Sequence, residues 1–181
     1  MRLSSRSIRT ARAARARHCA IWLGALAVVA ASCGFATSRE QQLAAVRAAL
    51  ADAAYDDAIA RAEAALGAAG AAARDELDDA TSWGLELALL EAHARAGHGE
   101  HAKQQLERLA RLHPSRVAAS DYFATAHQLR GAGAGTAAIE VLDVGFVLFP
   151  YEPVIARMIE EASAAGDPAE LELLRSLGYV E

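Results

Sequence analysis

The chain is short of cysteine and of lysine and has no long apolar run, and each shortage removes a class of protein. Its 181 residues contain two cysteines, Cys19 and Cys33, so the part beyond Cys33 has no disulfide. Lys103 is the only lysine, and the arginines beyond residue 39 are scattered among acids. No basic stripe exists for a phosphate backbone to lie on, which argues against nucleic acid as a partner. The longest apolar run, Cys19 to Ala31, is short against the roughly 20 residues that a spanning helix needs. No Gly-x-Ser-x-Gly nucleophile elbow is present.

What the N-terminus does have is a leader. Arg2, Arg6, Arg9, Arg12, Arg15 and Arg17 precede any acid, then come CAIWLGALAVVAA and Ser32-Cys33-Gly34. A basic segment, an apolar segment and small residues before a break make up a secretory signal peptide over residues 1–32. Ala30-Ala31-Ser32-Cys33 resembles the lipobox of bacterial lipoproteins, with Ala30 where the family usually has leucine. The resemblance implies acylation of Cys33, a lipidated tether over residues 33–39, and attachment to a membrane through that lipid. Gly34 is not the aspartate that resembles an inner-membrane retention signal, so the expected place is the outer membrane, facing the periplasm. Three alternatives stay open: a simple cleaved leader, an uncleaved anchor and an organellar transit peptide. Cleavage before Cys33 leaves 12 basic against 23 acidic residues, a net charge of −11. Such a body repels anionic lipid and phosphate alike.

Beyond the leader, two stretches coincide when slid by 36 residues: Gly97, Ala102, Leu106 and Pro114 fall on Gly133, Ala138, Leu142 and Pro150. Each holds an apolar helix, a glycine turn, a second helix with small residues at one-turn spacing, and a closing proline. This pattern resembles the tetratricopeptide repeat. Gly133, Ala138, Ile139, Leu142, Gly145, Phe146 and Pro150 occupy the family's positions, and Gly97, Ala102, Leu106, Leu109 and Pro114 carry a second copy. A third keeps Tyr55, Ala58, Ile59, Ala65 and Leu66, with Ala53 at the turn. A fourth keeps Gly166 and then departs. The resemblance implies an all-α fold over residues 40–181, a right-handed α-solenoid of about three to four tetratricopeptide-like helical hairpins. A plain bundle of alanine-rich helices is the alternative.

Local signals refine the expectation. Residues 67–79 break the repeat register and read as an inserted loop. Ser82 reads as the start of a helix over residues 83–96, and Asp167-Pro168-Ala169-Glu170 as the cap of another. Leu171, Leu174, Leu177 and Tyr179 form an apolar stripe that closes one end of the stack.

Nothing points to catalysis or to a cofactor. Leu112-His113-Pro114-Ser115-Arg116 resembles the sulfatase signature Cys-x-Pro-Ser-Arg, but Leu112 stands where the nucleophile belongs. The ending LRSLGYV looks like the tail of some bacterial sulfatases. His93, His98 and His101, with Glu91 and Glu100 nearby, read as polar turn residues rather than a metal site. The glycines between 131 and 136 lack the lysine of a phosphate cradle.

In the tetratricopeptide family the first helix of each hairpin lines the concave face. The resemblance therefore places Leu43, Arg47, Leu87, Glu91, Arg95, Phe123, His127, Arg130 and Glu160 along one groove, facing another protein or an extended peptide. Phe123 either anchors that partner or packs between repeats, in which case Tyr122 points inward. The expected function is a membrane-anchored scaffold or adaptor in the bacterial cell envelope. A soluble exported adaptor and a non-catalytic relative of a sulfatase-like hydrolase are the alternatives.

Overall fold

A computed structural model describes residues 38–68 and 80–181. The leader, Cys33 and most of the inserted stretch lie outside the described residues. Among those described, the chain is all-α, with eight helices and no strand: α1 (Arg39–Ala51), α2 (Tyr55–Gly67), α3 (Ala80–Arg95), α4 (Gly99–Leu112), α5 (Ala119–Gly131), α6 (Gly135–Leu148), α7 (Pro153–Ala165) and α8 (Pro168–Ser176). None of them is long and apolar enough to cross a membrane.

The helix ends follow from particular residues. Ser38 Oγ accepts from the Gln41 N–H and Gln41 Oε1 accepts from the Ser38 N–H, a reciprocal cap that starts α1. Asp167 Oδ1 accepts from the N–H groups of Ala169 and Glu170 at 3.0 and 3.1 Å, and Pro168 needs no donor in that first turn. Ser82 does not start its helix. It lies buried inside α3, which begins at Ala80, and its hydroxyl takes a 2.8 Å bond from Arg39 of α1. A serine that reads as a cap is here a contact between two helices.

Four helices end in the same hydrogen-bonded turn. Ala54, His98, Ala134 and Tyr179 each donate an N–H to the carbonyl five residues back, on Ala49, His93, Leu129 and Leu174, each at 2.9 Å. The residue before each donor is left-handed: Ala53 at φ 55°, Gly97 at 75°, Gly133 at 82° and Gly178 at 83°. This is the Schellman ending, which glycine enters without penalty and an L-residue enters at a cost of roughly 1–2 kcal/mol. Ala53 therefore holds the first turn under strain. Ala53→Gly is expected to raise stability by about 0.5–1 kcal/mol, since glycine's greater unfolded-state entropy offsets part of the relief. A urea titration checks this, and a fall in the midpoint contradicts it.

Helices pair in order, α1 with α2, α3 with α4, α5 with α6 and α7 with α8. The first helices of successive pairs pack together, α1 on α3, α3 on α5 and α5 on α7, and α4 packs on α6 as α6 does on α8. All the substantial contacts join helices no more than two apart in this order. Small residues permit the close approaches: Ala58, Ala62, Ala102 and Ala138 are fully buried, and Leu106 and Leu142 fill the space beside them.

The core has two parts that meet at α3. Leu85, Ala88, Leu89 and Ala92 join Leu43, Val46, Ala58 and Leu66 from α1 and α2. Leu90 and Ala94, on another side of the same helix, join the larger cluster that runs on through Leu106, Tyr122, Leu129, Ile139, Ile155 and Leu174. Burial on two sides explains why α3 has no clean polar face. Its Glu86, completely buried, is bonded by Gln105 Nε2 and paired with Arg108 from α4.

Polar contacts tie the later helices. Lys103 of α4 bonds Glu140 of α6 at 2.7 Å, Arg130 of α5 bonds Glu170 of α8 at 2.9 Å, and the Tyr179 hydroxyl donates to Asp143 of α6 at 2.8 Å. Burial first, and then the bond to Asp143, push the Tyr179 phenol up to about 12.

Candidate interaction surfaces

The residues expected along the groove of first helices do not share one environment. Leu43 is 9% exposed, belongs to the core of α1 to α3 and covers Gly84. Arg130 is half-buried and bonded to Glu170. Leu87 and Glu91 are the two that line a hollow, one of about 150 Å³ between α3 and α5, with Arg95 paired to Glu91 at 2.7 Å. Arg47, His127 and Glu160 are exposed.

On α5 the wall of that hollow is formed by Asp121, Ala124, Thr125 and Gln128, while Phe123 and His127 face elsewhere on the same helix. The phase is set by Tyr122, Ala126 and Leu129, which point into the core. Phe123 is half-buried against the core, with its ring centre 6.1 Å from that of His127. Tyr122 takes the inward place, 1% exposed.

A larger apolar surface lies on the side of the second helices. Ala110, Pro114, Val117, Val144, Leu148 and Phe149 line a groove of about 340 Å³ between α4, the segment after it and the end of α6. Glu107 and Arg111 border it with opposite charges. Leu148, which lines it, is 53% exposed, and its neighbours in the chain Val147 and Tyr151 are 71% and 96% exposed, so three large apolar side chains stand in water. Tyr122 also lines the groove, and its hydroxyl is buried with no hydrogen-bond partner. Burial raises that phenol above the ordinary tyrosine range, with lesser contributions from Glu107 and Asp121. In the text VGFVLFPY the repeat pattern places only Gly145, Phe146 and Pro150, and nothing singles out Val147, Leu148, Phe149 or Tyr151.

The sulfatase-like stretch is used in packing. The Arg116 guanidinium lies 4.3 Å above the Trp83 ring centre and His113 meets the same ring edge-on at 5.9 Å, while Pro114 lines the groove. Leu112 ends α4.

The three histidines at the α3–α4 turn do come together. Ring centres are 5.2 Å apart for His93 and His101, 5.8 Å for His93 and His98, and 6.1 Å for His98 and His101. His93 is buried, His98 and His101 are exposed. Burial first, then His101 and His98, hold the His93 imidazole below its ordinary value, against an opposing pull from Glu63 of α2. With the rings turned as they are, no three His, Cys, Asp or Glu side chains among the described residues are arranged to hold a metal ion.

No protein-family model matches this chain, and no curated protein or solved structure matches it.

Proposed function

We propose that this chain is a lipid-anchored, tetratricopeptide-like repeat protein of a bacterial envelope that holds another protein and performs no chemistry of its own. The apolar groove beside Leu148 and Tyr151 carries the binding part of this reading. Monomeric proteins rarely leave such a patch in water without a partner for it.

Several observations support the repeat reading. The turn geometry recurs at Ala53, Gly97 and Gly133, and the extensive helix contacts join helices no more than two apart in order. His113 and Phe149, which end α4 and α6 and lie 36 residues apart, have nearly the same backbone angles, φ −134° and ψ 59° against φ −130° and ψ 61°. On this reading the four helix pairs are the four repeats of a right-handed α-solenoid, and the partner meets its second-helix side. The lipid anchor and the envelope location rest on the leader and on Cys33 alone.

Two measurements test the proposal. Mass analysis of the mature N-terminus is expected to find an acylated Cys33; an unmodified Cys33, or cleavage elsewhere, leaves a soluble exported adaptor. A photo-crosslinking residue at Leu148 or Tyr151 is expected to trap one discrete partner in producing cells, and one at Arg157, exposed on α7, is not. Equal labelling from both places rejects the groove. Crosslinks from Phe123 and His127 alone would move the binding face to the first helices.

A further inference from the structure

In the other three Schellman endings the residue that gives the carbonyl and the residue that gives the N–H are both apolar or aromatic: Ala49 with Ala54, Leu129 with Ala134, Leu174 with Tyr179. An apolar contact between these two positions ordinarily accompanies the motif. At the α3–α4 turn the same pair is His93 and His98. Its 2.9 Å backbone bond fixes the two Cα positions relative to each other, and His101, three residues into the next turn, brings a third imidazole over them. Packing alone does not call for imidazole here.

We propose that His93, His98 and His101 form a binding site for a first-row transition dication of the zinc or nickel type. Three imidazole nitrogens at about 2.0–2.1 Å from one tetrahedral ion place their ring centres roughly 5–6 Å apart. The observed separations, 5.2 to 6.1 Å, match that spacing before any backbone movement. What is missing is ring direction: His93 and His101 now lie nearly parallel, at 19°, so their lone pairs do not meet. His98 and His101 are exposed and free to turn. The His93 Nδ1 is buried without a hydrogen-bond partner, so coordination through it breaks no existing bond.

The surroundings suit a cation. Glu63 from α2 acts on His93 as a nearby negative charge, and Glu100 follows His98 in the first turn of α4. His98 also borders an open cleft of about 500 Å³, whose far side carries Tyr55, Asp56 and Asp57, with Asp57 paired to Arg61. The cleft gives the ion a route in and leaves room for water as a fourth ligand. Neutral imidazole is the ligand form.

The test uses the full chain, solubilised and carrying no polyhistidine tag, titrated with Zn²⁺ by calorimetry and with Co²⁺ by visible absorption. One ion per chain is expected, with a tetrahedral cobalt spectrum. His98→Ala and His101→Ala, both at exposed positions, are each expected to weaken Zn²⁺ binding at least ~10-fold, and His127→Ala to leave it unchanged. Lowering the pH from 7.5 to 5.5 is expected to weaken binding, because each imidazole must lose its proton to coordinate. Absence of saturable binding overturns the proposal, as does binding that survives both substitutions.

Discussion

Arg108→Leu is expected to lower stability by about 3 kcal/mol, the cost of removing a cation that pairs with a buried carboxylate. Glu86 has no solvent exposure, and Arg108 is a cation paired with it among the described residues. Water reaches part of Arg108, whose side chain is 23% exposed, which keeps the figure toward the lower end of what broken buried pairs show. The double variant Glu86→Leu with Arg108→Leu removes both charges from the α3–α4 interface. It is expected to recover at least half of the loss, because desolvating the pair offsets most of its attraction. Urea unfolding followed by circular dichroism measures both. A single variant that loses less than ~1 kcal/mol, or a double variant no better than the single, contradicts this account.

Gly99→Ala is the second large effect. A methyl at residue 99 would stand 2.3 Å from the Ala137 Cβ, and neither carbon can turn away, since each is fixed to its backbone. The helices α4 and α6 must separate, at a cost of about 2 kcal/mol. The exchange variant Gly99→Ala with Ala137→Gly moves the methyl across the same contact. It is expected to regain more than ~1 kcal/mol over Gly99→Ala, a coupling that independent sites do not show. Gly131→Ala serves as the control, because a Cβ there meets nothing within 4 Å and alanine is the better helix former. The position 36 residues on, Gly135, is also close to a neighbour, but there a Cβ would meet the carboxylate end of Glu170, which can shift. Both glycines open the second helix of a pair where the next element crosses.

These glycines show what a sequence makes legible. Gly97, Gly133 and Gly166 announce turns because the left-handed region admits few other residues, and all three are left-handed here. Ala53 was legible only by register, since alanine carries no local sign of the conformation it holds. Gly99 and Gly135 were not legible as contacts. Their requirement is set by another helix, and spacing along one chain does not give the distance to it.

The candidate surfaces follow the same division. Tyr122 and Phe123 are adjacent and both large, so periodicity alone left open which one points inward, and the core around Ala126 and Leu129 decides it. Nothing in the sequence singles out Glu86, where an acid inside a helix carries no sign of burial. Its burial comes from α3 being covered on two sides. The exposure of Val147, Leu148 and Tyr151 has no local signature either, because whether another element packs over an apolar residue is decided outside its own stretch of sequence. The histidines of the α3–α4 turn lie within nine residues, yet their convergence depends on the Schellman bond that folds residue 98 back onto residue 93.

The division of the core at α3 has a mechanical consequence. A pull entering at Ser38 meets α1 and α2 first, and this hairpin shares apolar surface with the rest through α3. Tension would peel it away as one piece, uncovering Leu85, Leu89 and Ala92, while the cluster from Leu90 to Leu174 keeps its own packing. A separation of the two clusters would therefore run along one face of α3, and the strained turn at Ala53 lies in the smaller part.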